Sequence, residues 1–312
     1  MKTYAPNYYE KFRCIAGACR HSCCIGWDVY IDDETLQKYE TLGGKTGERV
    51  RAHLCEKEDG VCFEMCEGGR CPMLNASGLC DIILENGEDL ISEICREHPR
   101  FYNFFSDHTE AGLGLSCEEA ARIILSQEEK TEFTVIGEDE AVASELWEEE
   151  AYILGRREAL FRILQDRSTR IGVRAEKMLA VAGAHFPRKN SREWVRILQG
   201  LEIMDPEWKE LLGSMCMPSF GGDVSEYDTA FEKLLVYFIY RHTAGAVDEA
   251  DFAARIAFAY LGFRVIRALC TAKKSASGEC TFEDLCDFAR RYSAEIEYSP
   301  ENTDRLIKIM EV

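Results

Sequence analysis

Beyond about residue 127, apolar positions recur every three or four residues, the period of an amphipathic helix. Residues 140–166 read as one long helix, with Leu146, Ile153, Leu160 and Leu164 near one face. Further helices are expected over roughly 171–184, 191–200, 205–213, 227–242, 249–271, 281–296 and 301–310. The stretch FEKLLVYFIY (Phe231 to Tyr240) is apolar on nearly every side, which predicts the centre of a core. Pro218 to Asp223 breaks two helices and predicts a loop.

Before residue 127 the periodic segments are shorter. Trp27 to Ile31 alternates like a short strand, and the acidic start of residues 32–42 predicts a helix. Residues 43–50, GGKTGERV, predict a loop. Ser116 is a candidate N-cap with Glu118 and Glu119 in the first turn, so Cys117 would sit where a helix dipole favours a thiolate. The polar run 126–140 reads as a connection. The expected fold is mainly α: a small Cys-rich, metal-organised α+β module over 1–127, followed by an all-α helical domain over 128–312.

Composition narrows the function classes. Hydrophobic residues make up 46% of the 312, enough for a real core. The longest apolar run, Ile256 to Phe263, is flanked by Arg255 and Arg264 and is far too short to span a bilayer. The start, MKTYAPNYYEKF, has no secretory apolar stretch, so a cytoplasmic protein without a membrane partner is expected. A formal charge of −19 repels nucleic acid. The most basic stretch, 155–174, alternates with apolar residues and reads as a solvated helix face. An acidic surface permits a basic or lysine-bearing partner.

Cysteine distribution changes the picture most. Eleven of the fifteen cysteines fall within the first 117 residues. Cys14, Cys19, Cys23 and Cys24 form the spacing C-x4-C-x3-C-C. Cys71, Cys80, Cys95 and Cys117 form C-x8-C-x14-C-x21-C. In a cytoplasmic chain dense cysteines point to metal rather than disulfides, and an odd count cannot be fully paired. Zinc and iron–sulfur clusters both take four thiolates, and spacing does not decide between them. Adjacent side chains such as Cys23 and Cys24 diverge in most backbone conformations, so a single mononuclear site cannot use all eight. The C-x3-C-x2-C triad of radical enzymes is absent; Cys62, Cys66 and Cys71 have the wrong second gap. Cys55, Cys62 and Cys66 form a looser group, either extra ligands or packed thiols. Cys216, Cys270, Cys280 and Cys286 read as ordinary core or surface residues.

The strings FRCIAGACRHSCCIGW, CPMLNASGLCDI, LISEICREHPRFY and LGLSCEEAARIIL resemble the flagellin lysine-N-methylase family, over about residues 4–127. The resemblance implies that Cys14, Cys19, Cys23, Cys24, Cys71, Cys80, Cys95 and Cys117 are metal ligands. It implies an iron–sulfur cluster, of the 4Fe-4S kind, with zinc as the alternative. It also implies methylation of lysines on flagellin, or on another lysine-bearing surface protein, with S-adenosylmethionine. A non-catalytic zinc- or iron-chelating protein is the alternative reading. Two positions depart from the family pattern. Glu118 replaces the usual proline after Cys117, a helix position where little effect is expected. His98 replaces an apolar or aromatic residue and adds a possible ligand or proton-transfer group.

Around the thiols, His21 is either a ligand or a neighbour. Arg96 and Arg100 offset thiolate charge or are solvated, and Trp27 covers the first cluster or packs in a core. The chain has no glycine-rich strand–turn–helix loop for a methyl donor; AGLGLS (Ala111 to Ser116) lacks the context. A lysine nucleophile must be neutral to attack. Tyr102, His98 and Glu119 are conceivable bases, and nothing in the sequence selects one.

Overall fold

The computed structural model describes residues 1–215 and 223–311. Cys216 and most of the expected Pro218–Asp223 loop lie outside the described residues. The chain opens with strand β1 (Lys2–Pro6). Next come helices α1 (Asp33–Thr41) and α2 (Gly44–Ala52), strands β2 (Leu54–Lys57) and β3 (Gly60–Phe63), and helices α3 (Asp81–Asn86) and α4 (Glu93–Glu97). Strands β4 (Arg100–Phe104) and β5 (His108–Leu113), helix α5 (Glu118–Leu125) and strand β6 (Phe133–Glu138) follow. The described remainder is helical: α6 (Glu148–Leu164), α7 (Ile171–Ala182), α8 (Ser191–Gln199), α9 (Pro206–Gly213), α10 (Asp228–His242), α11 (Glu249–Ser277), α12 (Phe282–Tyr292) and α13 (Pro300–Met310). The chain is mainly α, as expected.

Two compact units divide it. One comprises 13–100 with 117–119; the other comprises 1–12, 101–116 and 120–312. In the smaller unit, β2 and β3 form an antiparallel hairpin, with Cys55 opposite Cys62. The expected strand at Trp27–Ile31 is an extended segment making one bridge, Tyr30 to Cys62, rather than a full strand. Residues 43–50 were expected as a loop, yet α2 runs through them. Burial of Thr46, Gly47 and Val50 outweighs the weak helix propensity of two glycines. Val29, Ile31, Tyr39, Val50, Phe63, Met73, Ile82 and Ile91 form the small core, and Cys71 is buried among them.

In the larger unit the sheet order is β4-β5-β1-β6, with β1 parallel to β5 and antiparallel to β6. This corrects the all-α expectation beyond residue 127: the supposed connection contains β6, which completes the sheet. Gly112 in β5 lies under the Phe101 ring, where a Cβ would come within 2.2 Å of it. Helices α10 and α11 are the buried centre. Every residue from Ala230 to Tyr240 is buried, as the all-round apolar pattern predicts.

Candidate functional site

The smaller unit gathers thiols from distant parts of the sequence. The amide of Cys71 donates to the carbonyl of Cys24 at 2.8 Å, and that of Gly26 to Gly69 at 2.9 Å, so the two cysteine clusters are joined by backbone. A bridge between Leu74 and Cys80 turns the chain back. Asp32 caps α1 by accepting from Thr35 at 2.9 Å and also accepts from the amide of Glu93 at 2.8 Å. One carboxylate therefore fixes α4, which carries Cys95, against the start of α1.

Four of the eight expected ligands pack into or onto the same small core: Cys71 is buried there, and Cys24, Cys80 and Cys95 lie against it. Their charges act on one another. Burial, then neighbouring thiols, pushes Cys71 up to about 12 and Cys95 to about 11. Cys24 goes the other way, to about 7, because the Cys23 thiol donates to it, helped by Ser22 and by the Arg70 guanidinium. Cys23 is exposed and rises in turn, and it feels both Cys95 and Cys14. Cys14 is exposed, and Cys19 lies near it.

The start of α5 reaches this loop through Glu118. Its carboxylate accepts from the Arg20 amide at 3.0 Å and from Arg20 Nε at 3.0 Å, and meets His21 Nδ1 at 3.0 Å. Cys19 Sγ lies 3.8 Å from the same carboxylate. His21 is thus a partner of Glu118. Cys117 is half-buried directly before α5. The Ser116 hydroxyl is buried with no hydrogen-bond partner, so it does not cap that helix as expected.

Trp27 is half-buried, donates its indole N–H to the Cys23 carbonyl, and has its ring 5.8 Å from that of His98. Arg100 donates to the Arg96 carbonyl at 3.2 Å, and Arg96 is exposed. The cation that acts on Cys24 is instead Arg70. Sequence reasoning also missed Tyr39. It is fully buried, its hydroxyl has no hydrogen-bond partner, and Cys95, Cys80 and Cys71 are near enough for their charges to act on it.

Does this neighbourhood suit a thiolate-bound metal group? In kind it does: four gathered thiols, one held toward its thiolate form, and a buried hydroxyl with a free donor. In spacing it falls short, since among the described residues no group of three or more His, Cys, Asp or Glu side chains is placed to hold a metal ion.

The larger unit has a different chemistry. A cleft of about 390 Å³ is lined by Tyr4, Phe133 and Phe161 and by His108, Glu110 and Arg157. Arg157 grips Glu110 with both terminal nitrogens, one at 3.0 Å, and both residues are buried. Burial alone would raise Glu110; the Arg157 charge and the His108 bond outweigh it and hold the carboxyl below its ordinary value. Deeper in the helices, Glu297 meets His242 Nε2 at 2.5 Å and accepts from the Tyr237 hydroxyl at 3.1 Å. Of the three bases considered, Tyr102 is exposed and stacked on Phe104, Glu119 is buried, and His98 is half-buried.

Residues 196–312 match the family described as the FliB lysine N-methylase C-terminal domain. The C-terminal part of the chain is similar to that domain. It holds α9 to α13, with the Tyr237–His242–Glu297 cluster at its centre. The chain is also 28% identical over 127 residues to a lysine-N-methylase of Salmonella typhimurium, covering 39% of this chain and 32% of that protein. A lysine-N-methylase of Salmonella choleraesuis is 30% identical over 129 residues, again 39% of this chain and 32% of the relative. The flagellar biosynthetic protein FliU of Salmonella muenchen is 27% identical over 127 residues, 39% of this chain and 75% of FliU. The matched stretch thus spans about a third of the two lysine-N-methylases. No solved structure matches the chain. The match to that family falls in the helical half, where the sequence offered no quotable motif, and not on the cysteine strings that carried the resemblance.

Proposed function

We propose that this chain is a protein-lysine N-methyltransferase that modifies flagellin, or another lysine-bearing surface protein, with S-adenosylmethionine as methyl donor. The observation that carries the reading is the match of residues 196–312 to the FliB lysine N-methylase C-terminal domain. The names of the Salmonella relatives support it. The proposal includes an iron–sulfur cluster, with zinc as the alternative. Cys24, Cys71, Cys80 and Cys95 are the thiols gathered most closely for it, and Cys14, Cys19, Cys23 and Cys117 complete the proposed set. Held by these thiols, such a cluster would supply Lewis-acid iron for binding the donor. Arg70 offsets thiolate charge, and Tyr39 offers a hydrogen bond to the sulfurs.

The test is purification without oxygen, iron and acid-labile sulfide analysis, then incubation with S-adenosylmethionine and flagellin. Matching iron and sulfide, with methyl mass added to flagellin lysines, supports the reading. Metal-loaded protein that never methylates lysine overturns it and leaves a metal-handling protein. Cys23→Ala or Cys24→Ala should abolish metal retention and loosen the smaller unit, because binding energy there is also folding energy. Unchanged metal content and melting in both variants would remove these thiols from the ligand set.

A further inference from the structure

Two cysteines outside the expected ligand set face each other across the β2–β3 hairpin. Cys55 and Cys62 are directly opposed in register, with their sulfurs 3.4 Å apart. Cys55 is half-buried and Cys62 is fully buried. The hairpin is held on its other side: the Phe63 amide donates to Val29 at 3.1 Å, and the Ile31 amide to Val61 at 2.9 Å. Paired on both sides, β3 keeps the Cys62 backbone opposite that of Cys55. Lys57 stands close enough for its charge to act on both sulfurs, and is itself anchored on Asp28 at 2.7 Å. At Cys62 burial and the Cys55 thiol outweigh that cation and push the thiol up to about 11, so Cys55, the more accessible sulfur, is the one placed to meet an oxidant first.

We propose that Cys55 and Cys62 are a redox modification site, closed to an intramolecular disulfide by low-molecular-weight disulfides such as oxidised glutathione. The Cys55 thiolate, the more accessible of the two, attacks one sulfur of the oxidant and releases one thiol, leaving a mixed disulfide. The Cys62 sulfur then displaces the second thiol, and its proton leaves with that thiol. Two protein thiols are oxidised and one small disulfide is reduced to two thiols. The sulfurs need only close from 3.4 Å to the bond length of about 2.05 Å, and the Cα spacing of directly opposed antiparallel residues, about 4.5–5.5 Å, lies within the range such bonds use.

The experiment titrates the full chain, purified without oxygen, with increasing ratios of oxidised to reduced glutathione. Samples are quenched by alkylation and mapped by peptide mass spectrometry. The expected result is a linked pair of peptides carrying Cys55 and Cys62. In Cys62→Ser, glutathione should accumulate on Cys55; in Cys55→Ser, buried Cys62 should stay reduced. Wild-type protein in which both cysteines remain alkylatable at ratios that load Cys55 in the Cys62→Ser variant overturns the proposal. So does wild-type protein in which either cysteine is linked only to a different one. The wild-type map decides on its own if a variant does not fold.

Discussion

At the residue scale, Glu118 is the departure from the family pattern with the largest structural role. As a helix-start residue replacing proline it promises little, yet its carboxylate collects Arg20 and His21 and holds the Cys19 loop at the start of α5. Glu118→Ala should free that loop at a cost of about 1 kcal/mol, since Arg20 is largely exposed. Faster hydrogen exchange at the Arg20 and His21 amides, with the larger unit unchanged, is the expected readout. Tyr39 gives a sharper test. An unpartnered buried hydroxyl is destabilising, so Tyr39→Phe should raise the stability of metal-free protein by about 1 kcal/mol. If the hydroxyl bonds a metal-bound sulfur, the same change should weaken metal retention and shift the reduction potential of the loaded protein. Denaturant melts and redox titration of both forms check the two halves separately. Neither Tyr39 nor Arg70 was legible beforehand. Tyr39 lies far from every cysteine string, and Arg70, although next to Cys71 in sequence, is brought to Cys24 only by folding.

At the element scale, what was legible follows the range of the interactions. Helices α6 to α13 announce themselves by local period, and Phe231 to Tyr240 is buried as its pattern requires. The sheet does not announce itself. β1 is five residues ending in proline, β6 is half-exposed in a polar run, and each is a strand because of a partner far along the chain. α2 was missed for the opposite reason, because glycines hid a helix that tertiary burial supports. The tie between β5 and α6 rests on the buried Arg157–Glu110 pair. Arg157→Ala strands a buried carboxylate and should cost about 3–5 kcal/mol. Double replacement with Glu110→Gln should recover part of it. Urea melts of the single and double variants measure this.

At the scale of the whole molecule, buried charges set a pH window. Burial alone would raise Glu110, Glu232 and Glu297, but Arg157 for the first, Arg167 and Arg174 for the second, and Arg241 with His242 for the third hold them down. A lowered carboxyl stabilises the fold above its unfolded value of about 4.3, and that contribution is lost as pH falls through the folded value. His242, lowered by burial, makes acid worse, because protonation below about 6.5 favours the unfolded chain. His108 acts oppositely: burial is outweighed by Glu110 and Asp107, so its contribution is full below about 6.5 and fades as pH rises through the folded value. Melting temperature should therefore peak near neutrality and fall more steeply on the acid side, as thermal melts followed by circular dichroism between about pH 4 and 8 would show. The sheet order also has a consequence for synthesis. β1 sits inside the sheet, between β5 and β6, and its parallel partner lies about a hundred residues later. A ribosome delivers the middle strand first and must make the whole 13–100 unit before any neighbour for it exists. Most of the cysteine-bearing unit is thus an excursion inserted between a strand and its mate, free to begin folding while the sheet is still waiting to close.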